Sequence, residues 1–229
     1  PDILIRKNWE LPMDFVKSIS HAAKKNKISF GISPFSIDSV QKLNPYVDFF
    51  KIASYELLWH DLILECIKTE KPLILSTGMS NIEEIQSTTD FIKEHNFNNY
   101  SLLHCTSAYP TPPNDCNLAA IETLRDQFNC KVGWSDHSVS DSVILRSIYK
   151  WNAEIIEFHL DLEGNGAEFG SGHCWLPQNM KKTIERVQIG MNSDGDGKKI
   201  PVESEISDRD WRADPSDGLR PMKYMRSKL

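Results

Sequence analysis

Six short apolar runs, set roughly 20 to 30 residues apart, constrain the fold of this chain more than any other feature: ISFGISPF (28–35), DFFKIAS (48–54), PLILSTG (72–78), YSLLHCTS (100–107), KVGWSDH (131–137) and AEIIEFHL (153–160). Between them lie segments of helical period, and this alternation predicts parallel strands joined by crossover helices. Ser80-x-x-Glu83 reads as a capping box, followed by an apolar stripe at Ile82, Ile85 and Ile92. From about Asn117, Leu118, Ile121, Leu124 and Phe128 repeat at helical spacing. Further helices are expected after Glu56, Ser138 and Gln178, and an earlier one over Leu11 to Lys25. The spacing suits an α/β fold of the (β/α)8 TIM type, whose eight units take about 250 residues.

The runs end alike. Lys51 and Ser54, Ser76 and Thr77, Thr106 and Ser107, Ser135 to His137, and His159 all stand where an apolar run gives out. In a barrel the C-terminal strand ends meet at one mouth, so residues distant in sequence converge on one pocket. A polar group inside the barrel costs desolvation energy, whereas one at the rim can be satisfied by a ligand. Any one such Ser or Thr has an ordinary reading as a helix cap, and a lone histidine as a structural one. Five strands ending alike favour a site. Two imidazoles at successive ends, His137 and His159, can share a divalent cation and leave positions open for water or substrate oxygen. Lys51 with the hydroxyls of Ser54, Ser76, Ser107 and Ser135 has the makings of an anion cradle suited to phosphate.

Composition narrows the class. A chain of 229 residues with 40% hydrophobic residues can bury a sizeable core. A net charge of −6 without a long Lys/Arg run argues against nucleic acid as a partner. No apolar run approaches the roughly 20 residues that span a bilayer, and no signal-peptide pattern opens the sequence. Five cysteines without a CxxC pair favour reduced thiols in a cytoplasm over a disulfide framework or a zinc knuckle.

The motifs FFKIASYE, PLILSTGMSNIEEI, LLHCTSAYPTPPNDCNL, VGWSDHS and IIEFHLDLEG resemble, in order and spacing, the sialic acid synthases, the N-acetylneuraminate synthase group that includes legionaminate and pseudaminate synthases. The similarity runs from about Trp9 to Val187. It implies condensation of phosphoenolpyruvate with an N-acetylated sugar such as N-acetylmannosamine, with Mn2+ or Mg2+ and release of phosphate, by a homodimer. The family's metal-binding histidines match His137 and His159. Its phosphoenolpyruvate contacts match Lys51, Ser54, Ser76 and Ser135, with Ser107 at a place that is often Asn. Its sugar contacts match Glu56 and Tyr109, and Glu56, His137 and His159 are the residues on which catalysis is expected to rest.

Two departures from the family pattern stand out. The family barrel has two strand-helix units ahead of ISFGISPF, and six parallel strands cannot close a barrel. The expected organisation is therefore an N-terminally incomplete barrel over 1–195 and a tail over 196–229, in place of the family's antifreeze-like domain. A disordered tail is the default, but Trp211, Arg212 and Arg220 among turn-forming residues suggest docking on a barrel. The loop Glu163 to Trp175 is the expected sugar selector, with Glu168 or His173 within reach of a hydroxyl and its glycines permitting a mobile lid. Two rival readings remain open: another metal-dependent barrel aldolase or synthase, and a catalytically inactive binding module.

Overall fold

Seven parallel strands, each hydrogen-bonded to the next in chain order, form one curled sheet in a computed structural model that describes residues 11–228. They are β1 (Gly31–Ile32), β2 (Phe49–Ile52), β3 (Leu73–Ser76), β4 (Tyr100–Cys105), β5 (Lys131–Asp136), β6 (Ile156–Leu160) and β7 (Cys174–Trp175). Helices α1 (Met13–Lys25), α2 (Ile37–Leu43), α3 (His60–Ile67), α4 (Ile82–Glu94), α5 (Ala120–Phe128) and α6 (Asp141–Tyr149) intervene, followed by α7 (Ala167–Gly170) and α8 (Pro177–Ser193) around the last strand. The result is an α/β part-barrel of the TIM type. Residues 1–10, the first part of the barrel expected over 1–195, lie outside the described residues.

Strand pleating explains how an apolar run can carry chemistry. Successive side chains point to opposite faces, and in β2 Phe50 and Ile52 are fully buried among the helices while Lys51 takes the other face. Leu73 and Leu75 of β3, Tyr100 and Leu102 of β4, and Val132 and Trp134 of β5 join Phe50 and Ile52 in one core. Val16, Val40, Leu62, Ile63, Ile121 and Leu124 meet them from the helices. Each such side chain taken from water contributes about 1.5–3 kcal/mol before entropy is counted. At Gly133 an added Cβ would stand 2.2 Å from the carbonyl oxygen of Ile155, so β5 and β6 approach as closely as they do only because that side chain is missing.

Three expectations change. The helix after β3 is capped one residue later than Ser80: Asn81 Oδ1 accepts from the Glu84 amide at 2.8 Å, and Glu84 Oε2 accepts from the Asn81 amide at 2.9 Å. The capping-box chemistry holds with Asn as the cap, a residue as good there as Ser. The segment Glu163 to Trp175 is not a plain surface loop, since it holds α7 and the seventh strand, and His173, Cys174 and Trp175 are buried. Helix α2 joins the helices read from the sequence, with Val40 and Leu43 buried.

The chain divides into two compact units, one ending at Glu185 and one from Arg186 to Leu229. The second is held by Asp214, whose carboxylate accepts from the Ser216 hydroxyl at 2.6 Å and the Lys223 amide at 2.7 Å, and by a two-pronged Arg226–Asp217 pair at 2.6 and 2.7 Å. Trp211, the expected anchor of the tail, is 60% exposed. No helix among the described residues is long and apolar enough to cross a membrane. All five cysteines are unpaired.

Candidate functional site

The second face of the sheet gathers the strand-end residues. Register pairs Lys51 with Ile74, so Ser76, two residues on, shares the Lys51 face, and Lys51 Nζ donates to Ser76 Oγ at 2.7 Å. Ser135 is paired with Glu157 across β5 and β6, and its hydroxyl donates to Glu157 Oε1 at 2.8 Å. The other carboxylate oxygen, Glu157 Oε2, lies 3.4 Å from Lys51 Nζ. One carboxylate thus bridges the ammonium of β2 and the hydroxyl of β5. Sequence reasoning missed Glu157, since an acid inside AEIIEFHL, which also holds Glu154, reads as a solvent-facing residue until the register puts it opposite Ser135.

Gly78 brings Ser54 and Ser107 together. Ser54 Oγ accepts from the Gly78 amide at 3.0 Å, and a Cβ on Gly78 would stand 2.3 Å from Ser107 Oγ and 2.8 Å from Ser54 Oγ. Ser107 Oγ is itself buried without a hydrogen bond of ordinary geometry. A buried hydroxyl left so costs about 1–3 kcal/mol, which a ligand oxygen would recover. Glu56, in a short 3-10 turn after β2, carries a second such atom, Oε2. Burial pushes the Glu56 carboxyl above the usual carboxylate range, against the opposing pull of a backbone hydrogen bond and of Lys51.

His137 follows β5 directly and His159 lies within β6; their rings meet edge to face at 5.3 Å. The Nδ1–H of His137 donates to the Thr106 carbonyl at 2.9 Å, which leaves its Nε2 as the lone-pair nitrogen. Burial, more than the His159 ring beside it, holds the His137 imidazole below its ordinary titration range and therefore neutral. Tyr109 covers both rings, at 4.3 Å from His137 and 6.0 Å from His159, and also meets His173 at 5.1 Å. Its phenol is pushed up by burial, while Ser107 works the other way.

Asp136, which stands between Ser135 and His137 at the end of β5, has a structural task. It is fully buried, and its carboxylate accepts five hydrogen bonds: from the Trp134 and Trp175 indoles at 3.1 and 2.9 Å, the Ser138 hydroxyl at 2.6 Å, and the Ser138 and Val139 amides at 3.2 and 3.1 Å. With every lone pair engaged it has none for a metal. It fixes the turn that presents His137 and ties β5 to β7. Val139 in that turn has φ 51, a conformation a β-branched residue adopts only when held there.

Glu168 joins the histidines from α7. Its Oε2 accepts from His159 Nδ1 at 3.2 Å and lies 3.8 Å from His173 Nε2 and 3.9 Å from Cys174 Sγ. Burial holds His173 neutral, with His159 acting in the same sense, and pushes the Cys174 thiol up. Ligand atoms of His159, Glu168, His173 and Cys174 lie within 4.8 Å of one another. His137 is not in that group. The sequence-derived residues therefore come together as a cradle around Lys51 and a histidine pair beside it.

Comparison with known proteins bears on what the arrangement does. A sequence model of the NeuB family matches residues 2–199. An uncharacterized protein of Methanocaldococcus jannaschii is 37% identical over 202 residues, covering 87% of this chain and 59% of that protein. The N,N'-diacetyllegionaminic acid synthase of Campylobacter jejuni is 34% identical over 199 residues, covering 86% of this chain and 59% of the enzyme. The crystal structure of the N-acetylneuraminic acid synthetase of Leptospira borgpetersenii superposes with a TM-score of 0.75 at 28% identity, over 87% of this chain and 70% of that one. The chain thus spans about three fifths of the curated relatives it matches.

Proposed function

The chain belongs to the NeuB family, and from that premise we propose that it carries the catalytic barrel of a nonulosonic acid synthase. The reaction is the condensation of phosphoenolpyruvate with N-acetylmannosamine or a related acylamino sugar, dependent on Mn2+ or Mg2+, with release of phosphate. The proposed enzyme is a cytoplasmic homodimer. The observation that carries the reading is the Lys51 cradle: an ammonium with hydroxyls from three further strand ends, one of them the buried, unsatisfied Ser107 oxygen, beside two adjacent imidazoles.

In this reading Lys51 binds the anionic end of phosphoenolpyruvate, and Ser54, Ser76, Ser107 and Ser135 supply donors around it. Ser76 accepts from Lys51 and so keeps its own hydroxyl hydrogen for the ligand. Glu157 balances the ammonium until the substrate anion replaces it. The donor set fits a divalent cation, because His137 has its Nε2 lone pair free and His159 stands beside it. A cation held by His137 and His159 would supply Lewis-acid polarisation of the sugar aldehyde.

Holding both substrates at one strand-end surface brings the enol carbon to the aldehyde carbon, which is where orientation contributes most. The carbon–carbon bond forms from the enol electron pair, water adds to the oxocarbenium-like centre left behind, and phosphate departs from the tetrahedral adduct. Glu56, with its raised carboxyl, is suited to relay a proton to or from the sugar, and Tyr109 to pack against it. The test is phosphate release from phosphoenolpyruvate with each candidate acylamino sugar, with and without Mn2+. Release that needs both sugar and cation supports the reading; no release with any sugar overturns it.

A further inference from the structure

We propose that His159, Glu168, His173 and Cys174 form a thiolate-containing site for Zn2+, with a donor set different from the His137–His159 pair. The site shares His159 with the reaction proposed above and rests on no step of it.

Three side chains converge on a single carboxylate oxygen. Glu168 Oε2 stands 3.2 Å from His159 Nδ1, 3.8 Å from His173 Nε2 and 3.9 Å from Cys174 Sγ. The His173 approach exceeds an ordinary hydrogen bond between such atoms, and the Cys174 thiol reaches the same oxygen only by a long, weak S–H···O contact, so convergence is not explained by satisfied bonding alone. His173, 6% exposed, has its other ring nitrogen buried without a partner, and Cys174 is 5% exposed. Two buried soft or borderline donors thus face an exposed carboxylate and a half-exposed imidazole, and solvent reaches the cluster from the Glu168 side.

Four donors of this composition select among cations. Thiolate with imidazole suits Zn2+, while Mg2+ and Mn2+ favour oxygen ligands and more of them. Charge agrees: one thiolate and one carboxylate neutralise a dication, and two neutral imidazoles complete a four-coordinate shell. Cys174 releases its thiol proton to solvent as the metal–sulfur bond forms. Tetrahedral ligands at about 2.0–2.3 Å from zinc stand about 3.3–3.8 Å apart, so donors now spread over as much as 4.8 Å must draw in by roughly an ångström. The segment can supply it: Gly172, between α7 and His173, sits at φ +90 with only Pro110 near, and α7 is a single turn.

The experiment is a Co2+ titration of the purified protein after chelator treatment, read by absorption, followed by Zn2+ competition. A near-ultraviolet sulfur-to-cobalt band reaching completion at one equivalent is expected, with Zn2+ displacing Co2+ and Mn2+ or Mg2+ at the same concentration failing to do so. Cys174→Ser should remove the band, and Glu168→Gln, an exposed change that leaves the fold alone, should weaken Zn2+ binding at least tenfold. His137→Ala should keep the band. Absence of a band, its persistence in Cys174→Ser, unchanged Zn2+ affinity in Glu168→Gln, or its loss in His137→Ala would each overturn the proposal. A protein that binds Zn2+ as expected yet releases no phosphate from phosphoenolpyruvate would sink the reaction reading alone.

Discussion

Replacing Asp136 with Asn should destabilise the barrel unit by about 3–6 kcal/mol. The carboxylate accepts from Trp134, Ser138 Oγ and Ser138 N through Oδ1, and from Trp175 and Val139 N through Oδ2. An amide keeps one oxygen, so at best three of these five bonds survive and two buried donors then face an NH2 group. Each hydrogen bond lost to a charged acceptor is worth about 1.5–3 kcal/mol, which gives the range stated. The folding equilibrium would fall roughly 100- to 20,000-fold, at tenfold per 1.4 kcal/mol. Since ordinary domains hold only about 5–15 kcal/mol in all, the variant would sit near the edge of folding. Urea denaturation followed by tryptophan fluorescence and far-ultraviolet circular dichroism reads the change as a lower midpoint at similar slope. A loss below about 1 kcal/mol would show that water or a repacked turn replaces the carboxylate, and the account of Asp136 as the clamp on the His137 turn would fail.

Lys51→Ala should raise the KM for phosphoenolpyruvate and lower kcat, with kcat/KM falling about a hundredfold as expected for losing a charged contact to a reacting anion; wild-type kinetics would refute the cradle. Because burial raises the Glu56 carboxyl, activity that needs its carboxylate should fall as pH drops through a point above the usual carboxylate range. In Glu56→Gln that acid limb should vanish from the kcat/KM profile, and a limb left in place would reassign it to another group. Hydrogen bonds from Ser216 and Lys223 hold the Asp214 carboxyl down at about 2. Its folded value lies below its ordinary 3.8, so its contribution is present above pH 4 and lost as pH falls towards 2. Pepsin digestion across that window should cut the 186–229 unit increasingly as pH falls, and Asp214→Asn should cut readily at both ends of it.

The strand-helix alternation was legible because each run is long enough to show a period, and Leu118, Ile121, Leu124 and Phe128 are all buried where helical spacing puts them. The seventh strand was not, because Cys174–Trp175 is two residues long and has no period to read. Lys51, Ser76, Ser135, His137 and His159 could be singled out as candidates because polar residues ending apolar runs are costly unless used. Glu157 was hidden by register, a property of two strands at once. The task of Asp136 was not legible because the same Asp-His pair in sequence serves a ligand or an anchor, and only the indoles of Trp134 and Trp175 decide which.

The pleat of these strands also bears on how the protein can change over time. Along β2, β3 and β5 neighbouring positions answer to different demands: Phe50 and Ile52 to packing, Lys51 to the proposed cradle; Leu75 to packing, Ser76 to the cradle; Trp134 to packing, Ser135 to the cradle. A sheet one residue thick separates the two, so inward-facing positions can drift with little effect on the helix-covered side. Selection on substrate and selection on persistence of the fold therefore act on interleaved but nearly independent alphabets. A directed library confined to the inward set should yield altered specificity among variants that still fold, whereas one of equal size on the outward set should yield mostly lost protein.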